Sequence, residues 1–73
     1  MSKNKERHNL YMLRVGKKLS QGEMAKRCGV AYKTYWNIEK ALSDGALAFW
    51  LKLKEEFPEI TIENMAKVEE LPE

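Results

Sequence analysis

The sequence predicts an all-α fold of four to five short helices, on three observations. Apolar residues recur at helical spacing in successive stretches, only four Gly and two Pro interrupt 73 residues, and Ser20-Gln21-Gly22-Glu23 has the form of a helix start. With 44% hydrophobic and 33% charged residues the chain should fold as one globular domain spanning 1–73, with a thin stability margin at this length.

The stretch from about Asn4 to Val15 has neither Pro nor Gly and sets Leu10, Leu13 and Arg14 on one helical face, which predicts a first helix. Gly16-Lys17-Lys18 ends it. Ser20 and Glu23 are spaced for a capping box, hydroxyl and carboxylate each taking a free backbone N–H, so a second helix runs from about Gln21 to Cys28. Met24, Ala25 and Cys28 form its apolar stripe, while Lys26 and Arg27 point away. Gly29 suits the left-handed residue that closes a helix, and Val30 follows to tuck into the core. A third helix is predicted from about Tyr32 to Lys40, with Tyr35, Ile38 and, by spacing, Thr34 turned inward. Leu42-Ser43-Asp44-Gly45 reads as a turn, and a fourth helix from about Ala46 to Glu56 presents Leu47, Trp50, Leu53 and Phe57 before Pro58 stops it. Ile60, Ile62 and Met65 begin a short fifth helix that Thr61 is placed to cap, and the acidic end, about 67–73, is expected to be flexible.

Several function classes are excluded at this level. Cys28 has no partner for an internal disulfide, and with His8 the single histidine there is no usual set of zinc ligands, so no metal or cofactor is expected. Cys28 reads as core packing and His8 as a solvated side chain. Glu55, Glu56 and Glu59 come with no partner base or pocket-forming Gly loop and read as a solvated face, so no enzyme is expected. The longest apolar stretch, Gly45 to Leu51, is far short of a bilayer span, and the polar start lacks the apolar segment of a signal peptide. The expectation is a cytoplasmic protein with no membrane partner. Charge is divided unevenly: residues 1–40 carry ten Lys or Arg against three Glu, about +7, and residues 41–73 carry three Lys against eight acids, about −5. Such a split points to a half that faces a polyanion.

The run Leu19-Ser20-Gln21-Gly22-Glu23-Met24-Ala25-Lys26-Arg27-Cys28-Gly29-Val30, continued by Ala31-Tyr32-Lys33-Thr34-Tyr35-Trp36-Asn37-Ile38-Glu39, resembles the Cro and phage-repressor family of helix-turn-helix proteins. The family's run is Leu-Ser-Gln, two acidic or polar residues, an apolar-Ala pair, Gly-Val, and Ile-Glu at the end of the recognition helix. The spacing matches without a gap, and a looser likeness extends from Leu10 through Leu47, Leu53, Phe57 and Ile62. The resemblance implies a lambda-repressor-like domain whose second and third helices form the helix-turn-helix, about 19–40, with the recognition helix, about 31–40, in the major groove of an operator duplex. It implies base-facing positions at Ala31, Tyr32, Lys33, Trp36 and Asn37, with Lys33 suited to guanine O6 and N7 and Asn37 to an adenine edge. Phosphate contacts are implied for Lys17, Lys18, Gln21 and Lys40, with backbone N–H groups at the start of the second helix adding an anion site. Arg14 and Glu39 would form an ion pair tying the first helix to the third.

The chain also departs from that pattern. Ala31 stands where a capping side chain is usual, Ala41-Leu42 where Gly and a basic residue are usual, and Asp44 brings a negative charge to the same loop. Tyr32 and Trp36 put two aromatic rings on the presumed DNA face, and Tyr11, Met12 and Val15 form an apolar strip on the first helix. Apolar surface of this kind suits protein contacts. The alternative is therefore an anti-repressor that binds a cognate phage repressor through Tyr11, Met12, Val15, Tyr32 and Trp36 and blocks its DNA binding. A third reading is an antitoxin, since several resemble this family. Family members often act as dimers on paired half-sites, and the sequence leaves open whether a homodimer forms here.

Overall fold

In a computed structural model that describes residues 5–70, five helices enclose one apolar core: α1 (His8–Gly16), α2 (Gln21–Arg27), α3 (Tyr32–Glu39), α4 (Leu47–Glu56) and α5 (Ile62–Ala66). A two-stranded antiparallel pair, β1 (Lys5–Glu6) and β2 (Glu69–Glu70), sets Lys5 opposite Glu70 and Glu6 opposite Glu69. The small domain is thus mostly helical, with one short strand pair that the sequence expectation did not include. α2 packs on α3, α1 on α3 and α5, and α4 on α5.

Both ends differ from the sequence expectation, for a common reason. Of the first helix predicted from about Asn4, Asn4 lies outside the described residues, Lys5–Glu6 are strand, and the helix begins at His8. Arg7 is held before the helix because its N–H donates to the Glu39 carbonyl at 2.9 Å. Its guanidinium then reaches the carbonyls of Ile38 (2.6 Å), Ser43 (2.8 Å) and Ala66 (3.0 Å) and lies 5.4 Å from the centre of the Trp50 ring. In the acidic end, Glu69–Glu70 pair with β1, and Leu71–Glu73 lie outside the described residues.

The first three helices close in the same way. After α1, α2 and α3, a left-handed residue (Lys18, φ 60°; Gly29, φ 71°; Ala41, φ 61°) lets the next N–H reach back to a carbonyl five residues earlier. Those bonds are Leu19 to Arg14, Val30 to Ala25 and Leu42 to Asn37, the six-to-one bond that satisfies otherwise unpaired helix-end carbonyls. Leu19 and Val30 then fold onto the core, whereas Leu42 stays 69% exposed.

The core joins Leu10 of α1, Met24, Ala25 and Cys28 around α2, Tyr35 and Ile38 of α3, and Phe49, Trp50, Leu53, Phe57 and Ile60 of the last third. Phe49 meets Trp50 edge to face, ring centres 4.8 Å apart, and lies 6.1 Å from the Tyr35 ring. Two predicted inward residues are outside. Thr34 is exposed, because Tyr35 and Ile38 already fill the inward side of α3. Leu47 is 70% exposed, because it stands at the first helical position and Phe49 supplies the buried ring beside Trp50. Ile60 is buried in the turn before Thr61, whose hydroxyl caps α5 by accepting from Asn64 N–H. Gly45, at φ 80°, passes so close to Trp50 that a Cβ there would lie 2.9 Å from its Nε1. That approach lets Trp50 Nε1 donate to the Asp44 carbonyl at 3.1 Å, which fixes the loop between α3 and α4.

Candidate nucleic-acid interface

The start of α2 is set by Ser20, whose hydroxyl accepts from Glu23 N–H (3.1 Å) while the Glu23 carboxylate accepts from Ser20 N–H (2.8 Å). These bonds hold the Glu23 carboxyl below its ordinary pKa, the one from the Ser20 backbone first. At this helix start the Ser20 and Glu23 N–H groups are thus engaged within the capping box, and the Glu23 carboxylate stands beside the position where the resemblance implies an anion. Buried Ala25, with its small side chain, belongs to the α2 surface packed against α3. Gly29 then turns the chain so that α3 begins at Tyr32.

A polar network ties α1, α2 and α3 through Glu39, which has no exposed surface. Arg14 Nε and Nη2 donate to its two carboxylate oxygens at 2.8 and 3.3 Å, Tyr35 Oη donates at 2.7 Å, and Gln21 Nε2 donates at 3.0 Å. Arg14 Nη1 also reaches the Leu19 carbonyl at 3.0 Å. Burial by itself would push the Glu39 carboxyl up, but the bonds from Arg14, Tyr35 and Gln21 outweigh it and hold the pKa below the ordinary value. Burial, and then the bond to Glu39, push the Tyr35 phenol up, and the bond to Glu39 raises Arg14. The network continues outward, with Tyr32 Oη donating to Gln21 Oε1 at 3.1 Å. Gln21 is therefore held on both sides of its amide, half-buried between the two helices.

The outward side of α3 holds the residues assigned to base contacts. Ala31 precedes the helix in extended backbone and caps nothing with its side chain. Tyr32 is 53% exposed and Lys33 is exposed, while Trp36 and Asn37 are half-buried. The Lys33 ammonium lies 6.0 Å from the centre of the Trp36 ring. α3 itself presents no carboxylate to this side, since Glu39, the one acid of the helix, is turned into the core.

The residues assigned to phosphates separate. Lys17 is paired with Glu59 at 3.1 Å and lies over Phe57, and Lys40, half-buried, is 4.0 Å from Glu6. Arg27 similarly lies over Phe57 and 3.9 Å from Glu56. The charge split seen in the sequence is thus partly cancelled in the fold, with Lys17 and Arg27 of the basic half facing acids of the other. Lys18, Lys26 and Lys33 have no carboxylate within ion-pair distance among the described residues. Glu55 and Glu56, expected to be a solvated face, pair with Lys52, and His8 Nδ1 sits 2.9 Å from Glu6 with its ring stacked on Tyr11.

A second apolar surface lies on α1, where Met12 (52%) and Val15 are exposed and Tyr11 is half-buried beneath the Arg14 guanidinium. Cys28 is buried and its thiol is pushed up to about 11, chiefly by burial. Among the described residues no cluster of His, Cys, Asp or Glu is placed to hold a metal ion, and no helix is long and apolar enough to cross a membrane. Sequence reasoning missed the tether from Tyr32 to Gln21 and the seat of Arg7, because each joins residues distant in the chain and carries no periodic signal. Comparison with protein families, curated proteins and solved structures finds no match for this chain.

Proposed function

We propose that α2 and α3 form a helix-turn-helix and that the protein is a sequence-specific DNA-binding regulator of transcription, of the Cro and phage-repressor kind, with α3 entering the major groove. One observation carries this reading. The outward side of α3 presents Lys33, Trp36 and Asn37 beside Tyr32 with no carboxylate among them, while neighbouring cations such as Lys17 and Arg27 are engaged by acids. An approaching duplex therefore meets uncompensated positive charge there, and Lys18 adds a further cation in the turn before α2. Gln21, restrained by Glu39 and Tyr32, supplies a second N–H on Nε2 for a phosphate oxygen.

The test is a titration of random-sequence duplex at low salt. On random duplex, where Lys33 lacks a cognate guanine and rests with Lys18 on phosphates, binding should weaken as salt rises with a log–log slope near −2 per copy of the protein, about 0.9 for each of the two lysines. Lys18→Ala should reduce the slope by about one without changing sequence preference. Absence of any retained duplex at low salt overturns the reading. The exposed rings and methyl groups of Tyr32, Met12 and Val15 favour a second reading, an anti-repressor that docks on a repressor encoded beside it. In that case Trp36→Ala abolishes co-purification with that repressor and duplex alone is not bound.

A further inference from the structure

We propose that Lys33 and Trp36 act as one unit that reads a guanine next to a thymine in the major groove. The inference rests on the DNA-binding reading above and names what that surface selects. Lys33 and Trp36 are three residues apart, so they stand on one side of α3, separated along its axis by about 4.5 Å. Successive bases along a strand are about 3.4 Å apart, so the two side chains address neighbouring base pairs.

Each has one matching target among the four base edges. The Lys33 ammonium offers only donors and has no carboxylate partner among the described residues. Guanine alone sets two acceptors, O6 and N7, side by side in the major groove, whereas adenine places an amino donor beside N7 and cytosine offers a donor. Trp36 offers an indole ring, and the 5-methyl group of thymine is the one apolar feature on a major-groove edge.

The geometry also restrains the pair before any DNA arrives. Trp36 is half-buried, which limits where its ring can swing. The ammonium of Lys33 is drawn over that ring, 6.0 Å from its centre, which restricts a long side chain that would otherwise be ordered only on binding. Tyr32, the exposed ring beside them, has its hydroxyl hydrogen-bonded to Gln21, so at the start of α3 Lys33 is the side chain with free donors.

Duplexes enriched by the wild-type protein from a pool randomised over about two helical turns supply the probe. Each thymine is then replaced by uracil, which removes only the methyl group, and each guanine by 7-deazaguanine, which removes only the N7 acceptor. At one pair of adjacent positions, uracil should weaken wild-type binding about fourfold, the value of one buried methyl group, and 7-deazaguanine about tenfold. Trp36→Ala should bind thymine and uracil forms alike, and Lys33→Ala should be indifferent to 7-deazaguanine. Indifference of the wild type to uracil at every position overturns the proposal, as does a uracil penalty that persists in Trp36→Ala or sensitive positions that are not adjacent. A pool from which no duplex is retained overturns the DNA-binding reading itself, so the two failures are distinct. The analogues alter the DNA and not the protein, so the wild-type measurements decide the matter even where a variant does not fold.

Discussion

Tyr32, the first residue of α3, donates its hydroxyl to Oε1 of Gln21, the first residue of α2, and so bridges the two helix starts at 3.1 Å. The Gln21 amide is thereby oriented, since its Nε2 simultaneously donates to Glu39. Tyr32→Phe keeps the ring and removes the tether. Because the bond is solvent-exposed, the folding cost should stay under about 1 kcal/mol in urea denaturation, while duplex affinity measured by fluorescence anisotropy falls about threefold to tenfold. Unchanged affinity would mean that the tether does not position Gln21.

Glu39 should govern the response to acid. Its folded pKa lies below the unfolded value, so the stability it contributes is complete above that value, near about 4.3, and is lost as pH falls through the folded one. Wild-type stability should therefore decline steeply below about pH 4.5. Glu39→Gln leaves Arg14 beside a neutral partner and should cost about 3 kcal/mol or more at neutral pH. Measured in a stabilising osmolyte to keep the variant folded, its acid decline should be shallower than that of the wild type. An identical pH slope in both proteins would remove Glu39 as the titrating group.

Three helix ends share one backbone conformation, yet only one carries Gly. Ala41 holds φ 61°, where a Cβ is strained by about 1–2 kcal/mol, and the added freedom of Gly in the unfolded chain offsets only part of that. Ala41→Gly should accordingly raise stability by up to about 1 kcal/mol and the Tm by several degrees. Gly29→Ala should lower stability by about 1 kcal/mol for conformational reasons alone, since a Cβ there meets no atom within 4 Å. Calorimetry that found both substitutions neutral would contradict this account of the helix ends.

What the sequence made legible follows from where its information is local. Ser20 and Glu23 define the start of α2 by chemistry within one turn, and Gly29 defines its end, so both could be read directly. Ala41 and Lys18 adopt the same left-handed state without Gly, and residue type alone does not mark them. Leu47 carried the right spacing for the core but is the first residue of α4 and stays exposed, while Phe49, off that spacing, is buried beside Trp50. Lys17 looked free for phosphate because Glu59 is remote in the chain; only the fold sets them 3.1 Å apart. The strand pair of Lys5–Glu6 with Glu69–Glu70 is likewise a long-range event between two short polar stretches with no alternation to announce it.

Arg7 connects more of the chain than any residue singled out by pattern. Its side chain donates to carbonyls near the end of α3, in the loop before α4 and at the end of α5, and its guanidinium faces the Trp50 ring. Burial lowers its pKa, opposed by the nearby Asp44 charge, and the cation is offset mainly by carbonyl oxygens. Arg7→Met should therefore destabilise by about 3 kcal/mol or more, because those carbonyls lose a buried charged donor. Arg7→Lys should not rescue it, since an ammonium on a flexible stem cannot reproduce the planar fork that reaches Ile38, Ser43 and Ala66 together. Amide hydrogen exchange distinguishes this clasp from a general loss of packing. In Arg7→Lys, protection should fall first at the β1–β2 pair and around residues 43–45, while the α2 amides near Met24 remain protected. Equal loss of protection throughout would show that Arg7 supports the core as a whole and not the joining of its two ends.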